Sequence, residues 1–181
     1  MNKIIDIRHL NLRSDLEETI SVLCSSAASL SEEISLSGLG ADHKSTAGQN
    51  TDGDNQKKLD VIADNLFRSN LEKSVAGFYA SEEQENIQRF GNDGKIGVAI
   101  DPLDGSSNID CNVSIGTIFS VKDILDKSSP ELDFFHLGDY LATGYFIYGP
   151  QTLLVFSCGQ GVLKYIYDSN NRVFEQIPGK V

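Results

Sequence analysis

The sequence predicts an α+β protein, a mixed and largely antiparallel sheet flanked by helices. Three observations predict it. Two long segments with helical apolar spacing come first. Short apolar runs that end in acidic residues come next. Three alternating segments joined by glycine-containing turns come last.

The first helix opens at Ser14-Asp15-Leu16-Glu17, a capping box in which Ser14 accepts a first-turn N–H bond and Glu17 reaches back. Leu16, Ile20, Leu23, Ala27, Leu30 and Ile34 then mark one buried face, and Gly38 and Gly40 end the helix. From Ala41 to Asp54 no apolar period survives. A polar stretch of about a dozen residues is long enough for a lid and reads equally as a plain connector. The second helix opens near Asp54, an N-cap candidate, and runs through Leu59, Ile62, Ala63, Leu66, Phe67 and Leu71. Asp60, between Leu59 and Val61, either faces solvent or points with Asp54 at a metal centre.

Val75 to Ala80 reads as a strand that ends in Ser81-Glu82-Glu83, and Gln84 to Gly94 as a helical or turn connection. Lys95 leads into a short buried strand, Ile96 to Ile100. Val113 to Val121 alternates towards another strand. Lys122 to Tyr140 is a polar surface connection broken at Ser128-Ser129-Pro130. Gly144–Tyr148, Thr152–Ser157 and Val162–Tyr167 form an antiparallel meander around Gly149-Pro150 and Gly159-Gln160-Gly161, and Asn170-Asn171-Arg172 is a further turn. With 181 residues, the chain is long enough for one domain with a real core.

Composition excludes several function classes. A formal net charge of −11 leaves no basic stripe to displace the counterions of a nucleic acid. Apolar runs are too short to span a membrane, and the N-terminus lacks the apolar core of a secretory signal. Cys24, Cys111 and Cys158 are odd in number and scattered; they form neither a zinc spacing nor a disulfide framework, which points to a reducing cytoplasm. His9, His43 and His136 are equally dispersed and read as surface or packing residues.

The most informative stretch is Asp101-Pro102-Leu103-Asp104-Gly105-Ser106-Ser107-Asn108-Ile109-Asp110. Two carboxylates leave a buried strand, with Pro102 fixing one backbone angle and Gly105 permitting a sharp turn. Gly105, Ser106 and Ser107 then offer consecutive N–H groups and two hydroxyls that can cradle an anion. An Asp-Pro and Asp-Gly string is also what an ordinary turn contains. Open sheets gather ligands at the carboxyl ends of their strands, which would bring Glu82, Glu83, Asp101 and Asp104 together. Two carboxylates 4 Å apart repel by about 4 kcal/mol at an effective dielectric of 20, so such a cluster needs cations or protons. All-oxygen donors suit Mg²⁺ or Mn²⁺. Such ions can activate a water for direct attack on a phosphate monoester, with a free carboxylate as general base.

On these residues the chain resembles the class I fructose-1,6-bisphosphatases, within the lithium-sensitive, Mg²⁺-dependent sugar and inositol phosphatase superfamily. The likeness runs from about Gly53 to Gly161. It is carried by Gly53 to Val61, Ser81-Glu82-Glu83, the string from Asp101 to Asp110, Val113 to Phe119 and Gly144 to Gly149. Gly149-Pro150-Gln151-Thr152 is most similar to the bacterial branch. The resemblance implies a layered α/β sugar-phosphatase fold and a Mg²⁺ cofactor, with Mn²⁺ as a substitute. It implies Glu82, Asp101, Asp104 and the Leu103 carbonyl as metal ligands. Asp54 joins a metal or its water when the preceding loop closes, and Glu83 and Asp60 handle the attacking water's proton. Gly105 and Ser106 hold the 1-phosphate with Asp104 and Ser107 beside them, and the loop from Asp42 to Thr51 is a mobile catalytic lid.

The implied reaction is hydrolysis of the 1-phosphate of fructose 1,6-bisphosphate to fructose 6-phosphate and phosphate, in the cytoplasm, by a homotetramer or dimer in the full-length form. Sedoheptulose-1,7-bisphosphatase and a non-catalytic metal-binding domain are the alternatives; inositol monophosphatase fits the blocks around Asp54 to Asp60 and Ser106 to Asp110 less well. The first helix lacks the family's Gly-Thr-Gly-Glu-Met-Thr-like phosphate grip and Lys95 is followed by Ile96, so AMP inhibition of the usual kind is not expected. The family continues for about as many residues again, with the sugar pocket and one more acidic ligand. Residues 1–181 therefore read as an N-terminal metal- and phosphate-binding domain without its C-terminal sugar-binding partner.

Overall fold

The computed structural model describes residues 4–37, 52–109, 111–136 and 138–178. Gly38, Gly40, the stretch from Asp42 to Thr51 and Asp110 lie outside the described residues, as does the side chain of Asp54.

Helix α1 spans Ser14–Ser37. It does not open as a capping box at Ser14. The Glu17 N–H donates to the Arg13 carbonyl at 2.9 Å, so Arg13 occupies the cap position and Ser14 is already helical. The cause is electrostatic. The Arg13 guanidinium is held by Asp15 at 2.7 Å and by Asp123 at 2.6 Å, and this fixes the angle at which the chain enters the helix. Asp15 also accepts the Leu16 N–H at 2.8 Å. The expected face is buried: Leu16, Ile20, Leu23, Ala27 and Leu30 are all in the core, and Ile34 packs against its edge.

Helix α2 spans Asp52–Glu72, so it begins before Asp54 and places that residue in the first turn rather than at the cap. A helix dipole favours acidic residues there. Its buried face is Leu59, Ala63, Asp64, Phe67 and Leu71; Ile62 is largely exposed and lies off that face. Asn70 ties α2 to α1 by donating to Ser26 Oγ at 3.0 Å.

The eight strands are β1 (Ala76–Ser81), β2 (Gln88–Arg89), β3 (Ile96–Asp104), β4 (Ile115–Asp123), β5 (Tyr140–Tyr148), β6 (Thr152–Ser157), β7 (Val162–Asp168) and β8 (Val173–Gln176). They form one sheet in the order β2-β1-β3-β4-β5-β6-β7-β8. Among the described strands β1 and β3 pair in parallel and the other pairs are antiparallel, and an isolated parallel bridge joins Ile5 to Phe174 of β8. A short helix α3 (Pro130–Phe135), started by its proline, interrupts the β4–β5 connection. Both α1 and α2 join one continuous core with Ile96, Val98, Ile100, Phe119, Val121, Phe146, Leu154, Phe156 and Tyr165 of the sheet. Several elements escape the sequence pattern: β2, with two residues; β8, with four, of which Phe174 is buried; α3; and a 3-10 turn at Arg8–Leu10. Gly94 lies so close to the backbone of β1 that a Cβ on it would overlap the Val75 carbonyl, which brings the chain back beside β1 before it enters β3.

Candidate active site

The parallel pairing of β1 with β3 builds the site. Ser81 lies opposite Ile100, so both strands deliver their next residues to the same edge. The Glu82 N–H donates to the Ile100 carbonyl at 3.1 Å, which sets Glu82 beside Asp101. The turn continues with Glu83 N–H to Ser81 Oγ at 3.2 Å and Gln84 N–H to the Ser81 carbonyl at 3.1 Å.

The acids of the central string do not leave the strand at Ile100; β3 continues to Asp104. Asp101 pairs with Ile118 and Asp104 with Gly116, so three steps along β3 match two along β4. This is a bulge, and it has a consequence for chemistry. Residues three apart in a regular strand face opposite sides, whereas the extra residue returns Asp101 and Asp104 to one side. Thr117 fixes the bulge from β4 by donating to the Pro102 carbonyl at 2.8 Å, and its hydroxyl also meets Tyr148 Oη at 2.7 Å. Asp101 Oδ1 accepts the Leu103 N–H at 3.1 Å. Gly105 follows at φ 77°, a left-handed conformation that a glycine adopts without strain, and a 3-10 turn, Ser106–Asn108, begins there.

The acids at this end of the sheet raise one another's proton affinity. Burial is the largest influence on Asp101; a hydrogen bond with Glu82, the charge of Glu82 and that of Asp104 add to it, and its carboxyl is pushed up to about 7. Asp60 is raised by burial and by Glu82, against a hydrogen bond from Ser106 Oγ to its Oδ2 at 3.3 Å. Glu83 is raised by burial, then by Asp60, Asp64 and Glu82. Asp60, Glu82, Glu83, Asp101 and Asp104 thus stand near one end of β1 and β3, close enough to feel one another's charge but not packed into one cluster, with Ser106 joined to Asp60; Glu82, Glu83 and Asp104 are exposed. Ser107 is exposed in the 3-10 turn, and Leu103 is buried behind the bulge. Asp54 stands in the first turn of α2, six residues before Asp60.

Among the described residues, no three Asp, Glu, His or Cys side chains are gathered closely enough to hold a metal ion by themselves. The donor chemistry nevertheless fits a hard dication. The donors are all oxygen, burial and the neighbouring Glu82 hold the Asp101 carboxyl well above the usual carboxylate range, and Asp60 Oδ1 is buried with no partner among the described residues. One residue of this neighbourhood went unnoticed in the sequence. Asp64 is buried on α2 and accepts from Tyr79 and Gln84. An acid at i+4 from Asp60, inside an apolar face, was the available signal.

A family model described as fructose-1-6-bisphosphatase, N-terminal domain, matches residues 3–177. A class 1 fructose-1,6-bisphosphatase of Cereibacter sphaeroides is 45% identical over 175 residues, covering 96% of this chain and 52% of the relative. One from Rhodobacter capsulatus is 43% identical over 175 residues, with the same coverage, 96% and 52%. The crystal structure of Leishmania major fructose-1,6-bisphosphatase in holo form superposes with a TM-score of 0.80 at 30% identity, covering 94% of this chain and 56% of that one. The chain spans about half the length of the curated relatives it matches. With the same fold and a family model that matches nearly all of its residues, the chain belongs to the fructose-1,6-bisphosphatase family and matches its N-terminal domain.

Proposed function

We propose that this chain carries the metal- and phosphate-binding half of an enzyme that hydrolyses the 1-phosphate of fructose 1,6-bisphosphate to fructose 6-phosphate and phosphate, with Mg²⁺, or Mn²⁺ in its place. The observation that carries the proposal is the delivery of Glu82 and Asp101 to one end of the paired strands β1 and β3, by the Ser81–Ile100 register and the Glu82 N–H bond to the Ile100 carbonyl, beside Asp60 and the turn that begins at Gly105. Glu82, Asp101, Asp104 and the Leu103 carbonyl would hold the metal. When bound, the ion lowers the pKa of a water and offsets negative charge on the phosphoryl oxygens.

The other roles belong to the chain itself. The Gly105 and Ser106 N–H groups, with Ser107 beside them, orient the phosphoryl group. Glu83 and Asp60 take the proton as the water oxygen attacks phosphorus and the bond to the sugar oxygen breaks. Ser106, whose hydroxyl donates to Asp60 Oδ2 at 3.3 Å, ties Asp60 to the phosphate-binding turn and supports its part in that role. Asp54 completes the centre from the start of α2. Residues beyond those present here supply the sugar pocket, a homotetrameric or dimeric assembly and the choice between fructose and sedoheptulose bisphosphates. The fit of the chain to half of each relative supports that division. Among the described residues no helix is long and apolar enough to cross a membrane.

The test is phosphate release from fructose 1,6-bisphosphate with Mg²⁺ and with chelator, using this chain and a chain extended to the length of its relatives, each beside its Asp101→Asn variant. Mg²⁺-dependent release that the substitution lowers by about a thousandfold or more is expected of the extended chain. Silence of the extended chain with every bisphosphate sugar would leave only the non-catalytic metal-binding reading.

A further inference from the structure

Asp64 lies one helical turn after Asp60 on α2 and is 3% exposed. A carboxylate so buried is costly unless its oxygens are hydrogen-bonded. Both are: Tyr79 Oη donates to Oδ1 at 2.9 Å, and the Gln84 side-chain amide donates to Oδ2 at 2.6 Å. Among the described residues no Lys, Arg or His reaches ion-pair distance of Asp64. Both partners are neutral, so their role is to fix geometry.

The geometry they fix is that of the turn from Ser81 to Gln84, which presents Glu82 and Glu83. The turn has two moorings. On one side the Glu82 N–H is held by the Ile100 carbonyl of β3 at 3.1 Å. On the other side Gln84 reaches Asp64 of α2, and Gln88 steadies it by donating to Gln84 Oε1 at 3.3 Å. Glu82 sits at the first mooring; Glu83 lies between the two, its N–H donating to Ser81 Oγ at 3.2 Å.

We propose that Asp64 is a positioning residue which, through Gln84, ties this turn to α2 and sets Glu83 against Asp60, while Glu82 is placed independently by β3. The proposal deepens the phosphatase reading and rests on it, since it assigns Glu83 and Asp60 to the water's proton. Loss of the α2 mooring leaves the metal ligands in place and displaces the proton acceptor.

The experiment uses the chain extended to the length of its relatives and three variants. Asp64→Leu and Gln84→Leu remove the mooring. Asp64→Asn restores it, because the Gln84 amide can rotate to accept from the new amide while Tyr79 still donates to the carbonyl oxygen. Both leucine variants are expected to lose about 100-fold in kcat with KM within about threefold, and Asp64→Asn to recover kcat to within about fivefold. Mn²⁺ affinity, measured by calorimetry without substrate, is expected to stay within about threefold in all three. Hydrogen exchange at the Glu83 and Gln84 amides reads the mooring without turnover. It should quicken in both leucine variants and not in Asp64→Asn.

Unchanged kcat or unchanged exchange in a folded Gln84→Leu protein overturns the proposal. So does an Asp64→Asn protein as impaired as Asp64→Leu, which would assign the effect to charge. A Mn²⁺ affinity that falls in step with kcat also overturns it, because the two acids would then not be placed separately. Gln84 is only partly buried, so its variant decides the matter should Asp64→Leu fail to fold. If the parent protein binds Mn²⁺ and releases no phosphate, the phosphatase reading fails by itself, and the exchange measurement still decides the mooring.

Discussion

Asp101 is a half-buried carboxyl held against another carboxyl, and the sign of its effect on stability follows from that. Its folded-state pKa, about 7, lies above the unfolded value of 3.8. Between those values the folded chain keeps a proton that the unfolded chain has released. Stability therefore falls as pH rises through this window, the opposite of a salt-bridged aspartate. Asp60 and Glu83 are shifted in the same direction and add to the trend. The metal-free chain should have a higher urea midpoint near pH 5 than near pH 8, and Asp101→Asn should flatten the difference. A cation that replaces the shared proton acts at the alkaline end, so Mg²⁺ at 100 times its Kd should add about 2.7 kcal/mol at pH 8 and much less at pH 5. Equal midpoints at the two pH values, without metal, would contradict the arrangement of Glu82 against Asp101. At this scale the sequence was most legible where the chemistry is local: Asp101, Asp104, Gly105 and Ser106 stand in one unbroken string. Asp64 was not legible because its meaning lies in Tyr79 and Gln84, 15 and 20 positions away along the chain.

Helices and strands were legible by their periods, whereas the joints between them were not. The face of α1 from Leu16 to Leu30 and the meander from β5 to β7 follow directly from spacing and turn residues. The start of α1 was misplaced because a capping box is a local signal, and Arg13 answers to a distant one: Asp123, at the end of β4, 110 positions away. The bulge in β3 was invisible for the same reason, since it exists only as a mismatch of register with β4. Arg13 thus fastens a helix to a strand. Its side chain is 47% exposed and that of Asp123 31%, which limits the Coulombic gain, but both oxygens of Asp123 are engaged, at 2.6 and 2.8 Å. Arg13→Ala is expected to cost about 1–2 kcal/mol and to lose half of that effect in 1 M salt. Chemical denaturation of the variant and of an Arg13→Ala, Asp123→Ala pair tests the joint. Single and double substitutions that merely add would show that the two side chains are not coupled.

The molecule as a whole has two unlike faces. One carries α1 and α2 over the core. The other, between β3 and β7, is a shallow groove of about 600 Å³ lined by Ile118, Tyr140, Tyr145, Val155 and Val162, with Asp101 among its lining residues. Ile118, Tyr145 and Val162 are 49%, 41% and 52% exposed. Scattered apolar residues at a surface mean little, but these share one groove on neighbouring strands. The formal charge of −11 opposes association of like molecules, so the contest between apolar face and net charge depends on salt. The 181-residue chain is expected to self-associate through this groove as concentration rises, and more readily at 0.5 M than at 0.05 M salt, where its charges are less screened. Ile118→Lys together with Val162→Lys should suppress the association without lowering the denaturation midpoint by more than about 1 kcal/mol, because both side chains are half in solvent already. Sedimentation velocity across a hundredfold range of concentration measures it. A sharp monomer peak at the highest concentration in both salts would show that the groove is not sticky enough to overcome repulsion. Association that survives the two lysines would place the contact elsewhere on the molecule.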